Sequence, residues 1–261
     1  LEDLKNNPEM IFLDIYGIGP KKAEDLVKSG YKSISELRDT KEDVLNDKQK
    51  LGLKYYEDIL KKIPRDEIDA FKDKISSVIN NRANFEIVGS YRRGKQQSGD
   101  IDVIITHKDN DSSIFDKILD DLEGENIITH FLSRGKTKSL VIGQLDETRP
   151  FRRIDFLYAP PNEYPFSILY FTGSKYFNTA MRGYSLKLGY SLNEHAFKDI
   201  KTQQNLQKDF TTEKEIFKFL NIKYVEPHER INLHSIKIED SKPTYDNEVM
   251  FVPKIKKKNK T

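Results

Sequence analysis

The sequence contains no cysteine, which excludes disulfides, thiolate zinc sites and cysteine nucleophiles together and leaves carboxylates and a few histidines as possible metal ligands. Oxygen ligands favour magnesium. Long hydrophobic runs are also missing, so no membrane span is expected. The stretch from Leu1 to Met10 is polar and acidic, unlike a signal peptide. An intracellular protein with no membrane partner is the expectation. Charge of one sign is lacking as well: 44 Lys and Arg face 42 Asp and Glu, a net of +2. That balance is too even to announce nucleic acid by itself, so any such claim must come from local clusters. No internal repeat is visible. A chain that opens on Leu rather than Met is expected to have lost, or never to have shown, an upstream segment.

What is present is a chain of 261 residues, 36% apolar and 33% charged, long enough for one large domain or two to three small ones with a charged surface. Apolar spacing near 3.6 at Leu26, Val27, Ile34 and Leu37, then Leu53, Tyr56, Ile59 and Leu60, predicts short helices with Gly-containing turns over residues 1–62. Pro64 breaks that module. After a helix from Glu67 to Ile79, alternation at Phe85 to Val88 and at Ile101 to Thr106 predicts strands. A helix from Ile114 to Leu122 and strands at Lys138 to Leu145 and Arg152 to Tyr158 extend the mixed sheet of a second module, 63–160. Helices at Pro165 to Tyr170, Ser174 to Leu188 and Lys214 to Leu220 make a third, 161–231. Residues 232–261, ending in a run of lysines, read as a flexible basic tail. The fold class expected is α+β.

The most informative stretch is Val88-Gly89-Ser90-Tyr91-Arg92-Arg93-Gly94, followed by Ser98-Gly99-Asp100-Ile101-Asp102-Val103. Aspartates at i and i+2 of a strand project from one face, where hard cations can be shared. The Gly-Ser backbone, the Ser90 hydroxyl and Arg93 offer donors to phosphate oxygens. In Phe151-Arg152-Arg153-Ile154-Asp155-Phe156, alternation puts Arg153 and Asp155 on one face and Ile154 and Phe156 on the other. An acid inside an apolar strand is expensive unless paired or metal-bound, so Asp155 is expected beside Asp100 and Asp102. The plainer alternatives are an exposed edge strand, an ordinary turn, and a salt bridge of Asp155 to Arg153 alone.

With these motifs in this order, the sequence resembles the family X DNA polymerases of the nucleotidyltransferase superfamily, from about Asp14 to Glu226. The resemblance implies a nucleotidyltransferase-type palm, preceded by a helical subdomain and followed by a small α/β nucleotide-selecting subdomain. It implies that Asp100 and Asp102 hold two Mg²⁺ ions, with Mn²⁺ as a substitute, while Asp155 binds the catalytic one and Arg153 restrains it. Ser90, Arg93, Ser98 and Gly99 would hold the incoming triphosphate.

Tyr170-Phe171-Thr172-Gly173-Ser174-Lys175 resembles the family's nucleotide-selecting turn, which leaves little room for a 2′-hydroxyl. Asn178 would then face the minor-groove edge of the nascent base pair, Arg182 the template strand, and Glu194 would orient Arg182. Ile15-Tyr16-Gly17-Ile18-Gly19-Pro20-Lys21-Lys22 resembles a helix-hairpin-helix. Gly17 and Gly19 permit the hairpin, and Lys21 and Lys22 add charge toward a DNA phosphate. Carbonyls of Leu13, Ile15 and Ile18 would hold Na⁺ or K⁺ there, and a plain αα-hairpin is the alternative.

The chain departs from the family pattern at Lys62 and Leu157, both expected as arginine, at Lys175, expected as aspartate, and at His195, expected as tyrosine. Lys62 keeps charge near the triphosphate but loses the guanidinium fork. The short Leu145 to Phe151 connection favours template dependence. The lyase domain that precedes this region in the family is missing from the sequence, so no lyase activity is expected. The expected substrates are deoxynucleoside triphosphates and gapped or primer-template DNA, bound by a monomer that is nuclear if eukaryotic and acts in base-excision or end-joining repair. A template-independent terminal nucleotidyltransferase and a non-catalytic DNA-binding module remain as alternatives.

Overall fold

A computed structural model describes residues 7–239; the greater part of the expected basic tail, 240–261, lies outside the described residues. The chain divides into two compact units. One holds the residues up to Ala83 with Gln96–Val103 and Ser112–Tyr158, and the other holds Asn84–Lys95, Ile104–Asp111 and the residues from Ala159 onward.

The first unit opens with short helices α1 (Pro8–Leu13), α2 (Pro20–Lys28), α3 (Ile34–Asp39), α4 (Asp47–Lys54) and α5 (Tyr56–Leu60). Polar side chains start several of them. Asn7 accepts from the Glu9 N–H, Ser33 from the Glu36 N–H, and Asn46 with Gln49 forms a reciprocal box at α4. Each such cap satisfies an N–H that the first turn leaves orphaned. The helices and the turns between them bury Phe12, Ile15, Ile18, Ala23, Leu26, Leu37, Leu45 and Leu53 in one core.

β1 (Ile63–Pro64) then leads into α6 (Arg65–Ile79), β2 (Asn84–Ile87), a single helical turn α7 (Gly89–Arg92), β3 (Gln97–Ser98), β4 (Ile101–Thr106), α8 (Ser113–Gly124), β5 (Ile128–Arg134), β6 (Lys138–Gly143) and β7 (Arg152–Tyr158). Five of the strands make a mixed sheet in the order β2-β4-β7-β6-β5, so the α+β class expected from the sequence is the one observed. β7 pairs antiparallel with β6, setting Asp155 opposite Leu140 and Arg153 opposite Ile142. β1 and β3 pair separately, Ile63 with Ser98 and Pro64 with Gln97, which brings the end of the helical module beside the residues leading to Asp100.

In the second unit α9 (Tyr164–Thr172), α10 (Lys175–Lys187), the hairpin β8 (Tyr190–Leu192) with β9 (Phe197–Asp199), and α11 (Glu213–Phe219) surround an aromatic core of Phe166, Phe177, Phe197, Phe210 and Phe217. Residues beyond 231, assigned to the tail by composition, continue this unit for a few residues. Leu233–Ser235 form a 3₁₀ turn and Ile238 bridges Ile222. No helix among the described residues is long and apolar enough to cross a membrane.

Candidate active site

In the first unit, β7 alternates as its sequence requires, with Arg152, Ile154, Phe156 and Tyr158 buried and Arg153, Asp155 and Leu157 half-buried on the other face. Asp102 lies on β4. Asp100 sits in the bend just before that strand rather than on it, a difference from the expected i, i+2 pair on one strand; the bend still delivers its carboxylate to the same place. Asp100, Asp102 and Asp155 each offer an oxygen, and these oxygens all lie within 4.8 Å of one another.

Three acids so close cannot ionise freely. Burial, then the charges of Asp100 and Asp155, pushes the Asp102 carboxyl up to about 7. Asp155 is also raised, chiefly by burial, against the opposing pull of Arg153. A single arginine does not neutralise three carboxylates, and an all-oxygen donor set with this excess of negative charge fits hard divalent cations.

Arg153 bonds both Asp155 oxygens through one nitrogen, at 3.2 and 3.0 Å, and lies 3.7 Å from Asp100. Sequence reasoning missed its other neighbour: the Tyr16 ring, whose centroid is 4.4 Å from the guanidinium carbon. Arg152, on the opposite face of β7, was also missed. It pairs with buried Glu67 through two 2.8 Å hydrogen bonds and reaches the carbonyls of Lys61 and Lys62 at 3.2 and 3.3 Å. Alternation along β7 drew attention to Arg153 beside Asp155, whereas the partner of Arg152, Glu67, lies 85 positions away in the sequence. Lys62 is exposed, and its ammonium is 3.7 Å from where a Cβ on Gly99 would stand. Ser98 is buried at the end of β3.

The hairpin expected near the N-terminus joins α1 to α2. Gly17 takes a φ of +89° and Gly19 leads into Pro20 in extended backbone. Gln49 donates to the Gly17 carbonyl at 2.9 Å. Gly52 of α4 was not singled out by sequence, yet a Cβ there would fall 2.2 Å from the Tyr16 carbonyl oxygen. Lys21 is exposed and Lys22 half-buried at the start of α2. Leu13 is half-buried while Ile15 and Ile18 are in the core, and the Ile15 carbonyl accepts the Ile18 N–H at 3.1 Å.

In the second unit, the Gly-Ser segment, whose plainer alternative was an ordinary turn, is the helical turn α7, half-burying Ser90. Arg93 donates to the Thr172 carbonyl at 2.6 Å, and Arg92 to the Thr172 hydroxyl at 2.8 Å. Between α9 and α10, Gly173 has a φ of +69° and the Gly173–Ser174 peptide is cis. A Cβ on Gly173 would lie 3.1 Å from an Arg93 terminal nitrogen, so conformation favours glycine here and any side chain would also press on Arg93.

The Ser174 hydroxyl caps α10 and donates to the Ile231 carbonyl at 2.8 Å, while its N–H bonds the Arg230 carbonyl at 3.2 Å. Arg230 is fully buried and shares Glu213 with Arg92, at 2.7 Å to each arginine. Sequence reasoning missed this trio because its members are far apart in the chain. Arginine hydrogen bonds and charge hold the Glu213 carboxyl below its usual range despite burial, the largest and opposing influence.

Of the expected contacts around this turn, Asn178 uses its amide N–H on the Tyr170 carbonyl at 2.7 Å. Tyr170 and Phe171 are half-buried and in edge contact, and Lys175 is exposed. The structure does not join Glu194 to exposed Arg182 by an ion pair; the Glu194 carboxylate lies 3.8 Å from His195, which itself bonds Glu163 at 2.8 Å.

Comparison with known proteins places these motifs in one family. Three family models match in order: the fingers domain of DNA polymerase lambda over residues 10–60, the DNA polymerase beta palm over 62–161 and the DNA polymerase beta thumb over 167–231. DNA polymerase lambda of Rattus norvegicus is 33% identical over 239 residues, covering 84% of this chain and 41% of the relative. DNA polymerase lambda of Arabidopsis thaliana is 32% identical, covering 84% and 46%. DNA-directed DNA/RNA polymerase mu of Homo sapiens is 26% identical, covering 84% and 51%. The chain thus spans about half, or less, of the length of the curated relatives it matches. Motifs alone set the chain beside the beta polymerase, whose name the palm and thumb models carry, whereas these relatives are lambda and mu polymerases. With fingers, palm and thumb matched in succession and a lambda polymerase 33% identical over most of this sequence, the chain belongs to family X of the DNA polymerases.

Proposed function

We propose that the chain is a template-directed DNA polymerase that adds deoxynucleotides to primer 3′-ends in short gaps, acting in DNA repair by base excision or end joining. The observation that carries this reading is the convergence of Asp100, Asp102 and Asp155, all within 4.8 Å. Asp100 and Asp102 would hold two Mg²⁺ ions, or Mn²⁺ in their place, and Asp155 would share the catalytic one. Such a pair supplies Lewis-acid stabilisation of the attacking and leaving oxygens of an in-line phosphoryl transfer.

The rest of the chemistry falls to the protein. The Asp155 carboxylate, raised in pKa by burial, accepts a hydrogen bond from the primer 3′-hydroxyl and eases its deprotonation. Arg153 keeps that carboxylate aimed. The family resemblance assigns Ser90, Arg93, Ser98, Gly99 and Lys62 as phosphate donors. They serve the triphosphate, whose pyrophosphate gains charge as it leaves.

The turn at Tyr170, Phe171 and Gly173 favours the deoxy sugar. Its rigidity follows from the hydrogen bonds of Arg92, Arg93 and Asn178 and of the Arg230 and Ile231 carbonyls. Asn178, Lys175 and Arg182 are assigned to the nascent base pair and template, and Glu194 to orienting Arg182 against bound DNA. The hairpin of Gly17, Gly19, Lys21 and Lys22 is assigned to the DNA backbone, with Na⁺ or K⁺ on the carbonyls of Leu13, Ile15 and Ile18. The protein works as a monomer, in the nucleus if it is eukaryotic.

Gap filling tests the reading. Single-nucleotide extension on 5′-phosphorylated gapped DNA, with deoxy- and ribonucleotides offered separately and with the template strand present or omitted, should show template-dependent deoxynucleotide addition. Asp155→Ala should retain DNA binding and lose addition by at least about three orders of magnitude. Extension by that variant near the wild-type rate would refute the catalytic assignment. Efficient addition without template would favour a terminal transferase instead, and equal use of ribonucleotides would remove the assigned role of the turn.

A further inference from the structure

Arg153 is held weakly by hydrogen bonds alone. Both contacts to Asp155 come from one terminal nitrogen, at 3.2 and 3.0 Å, and Asp100 lies 3.7 Å from that same nitrogen. The buried Nε has no hydrogen-bond partner. A guanidinium gripped through one corner can pivot between two carboxylates, and an unbonded Nε does nothing to stop it. If it moved onto Asp100, Asp155 would lose its restraint and Asp100 would lose freedom to bind metal.

The remaining contact is aromatic: the guanidinium carbon lies 4.4 Å from the centroid of the Tyr16 ring, well within cation–π range. The backbone that carries the ring is packed from behind. The Tyr16 carbonyl sits where Gly52 has no side chain, since a Cβ there would be 2.2 Å away. The next carbonyl, of Gly17, is bonded by Gln49 at 2.9 Å. Tyr16 therefore belongs to the hairpin by its backbone while its ring reaches Arg153.

We propose that Tyr16 is the positioning residue for Arg153, so that the turn assigned to the DNA backbone also sets the geometry of the metal-binding acids. This rests on the polymerase reading given above and deepens it: the ring holds the guanidinium on Asp155 and off Asp100. It also gives a physical reason for an aromatic at the centre of a hairpin whose phosphate-binding task needs only backbone and lysine.

The test uses the full chain. Tyr16→Leu should lower kcat for single-nucleotide gap filling about tenfold while the nucleotide KM stays within about twofold, the loss expected when a partly buried cation–π contact disappears. The same variant, without DNA or nucleotide, should need several times more Mn²⁺ for half-saturation, read from the spin-resonance signal of the free ion. Tyr16→Phe and Tyr16→Trp should keep both values near wild type.

Phenylalanines carrying successively more ring fluorines at position 16 preserve shape while weakening the π face, so kcat should fall stepwise with no matching fall in Tm. In an Arg153→Gln background, Tyr16→Leu should have no further effect on kcat. A flat fluorine series, or a Leu variant with wild-type kcat and Mn²⁺ affinity, would overturn the proposal. If the wild-type chain binds Mn²⁺ but adds no nucleotide, the polymerase reading fails, and the Mn²⁺ titrations of the Tyr16 variants alone decide the role of the ring.

Discussion

At the scale of single residues, the acidic cluster makes its own forecast about stability. Asp102 titrates near 7 in the folded chain, and burial is the main cause, while an unfolded aspartate titrates near 3.9. The folded state therefore binds this proton more tightly than the unfolded state. Its contribution to stability is fully present below about pH 4 and is lost as pH rises through about 7. In EDTA, the wild type should thus lose on the order of 1–2 kcal/mol between pH 5 and pH 8 relative to Asp102→Asn, the full shift being discounted for partial exposure. Magnesium should reverse the order at pH 8, because only the wild type gains from binding it. Urea unfolding at the two pH values, with and without the ion, measures this. Parallel pH dependences for the two proteins would mean that burial and the neighbouring acids do not hold the Asp102 proton as the structure implies.

At the scale of elements, α4 illustrates how a residue that looks dispensable becomes critical. Gly52 lies inside a helix, where glycine ordinarily costs about 1 kcal/mol relative to alanine. Exchange for alanine should therefore help, but the new methyl would meet the Tyr16 carbonyl at 2.2 Å. Gly52→Ala is expected to destabilise the first unit by about 1–3 kcal/mol, as overpacking does, and to weaken DNA binding by displacing the hairpin. Gly124→Ala, at the end of α8 with nothing within 4 Å of its Cβ position, should be neutral or slightly stabilising. Thermal melts of the two variants distinguish them. Equal Tm values would show that the hairpin yields to accommodate the methyl.

The same contrast explains what the sequence could disclose. β7 was legible because Arg153 and Asp155 alternate with Ile154 and Phe156, and the burial pattern follows that alternation. β5 escaped notice because its pairing with β6 shifts register twice, which breaks the two-residue period on which a strand is recognised. The three-residue strands β8 and β9 are too short to show one. At the site, the acids were legible because carboxylates in apolar strands demand partners. Tyr16, Gly52 and the trio of Arg92, Glu213 and Arg230 were not, because their meaning lies in neighbours distant along the chain.

At the scale of the whole molecule, the net charge of +2 leaves little general attraction for a polyanion, so the proposed DNA binding must depend on a few well-placed cations. Each phosphate contact neutralised by a cation contributes about 0.9 to the slope of log affinity against log salt. If Lys21 and Lys22 each make one such contact beside the hairpin, reversing both to glutamate should lower that slope by about 1.8. Affinity for gapped DNA at low salt should fall accordingly. The catalytic acids are untouched by these changes, so kcat at saturating DNA should stay close to wild type while the DNA concentration needed for half-maximal rate rises. Fluorescence anisotropy across a salt series, paired with gap-filling kinetics, separates the two effects. An unchanged slope would remove the hairpin lysines from the DNA interface. A fall in kcat at saturating DNA would mean that the hairpin charge influences the acids directly, and the contact of Tyr16 with Arg153 is the route by which it could do so.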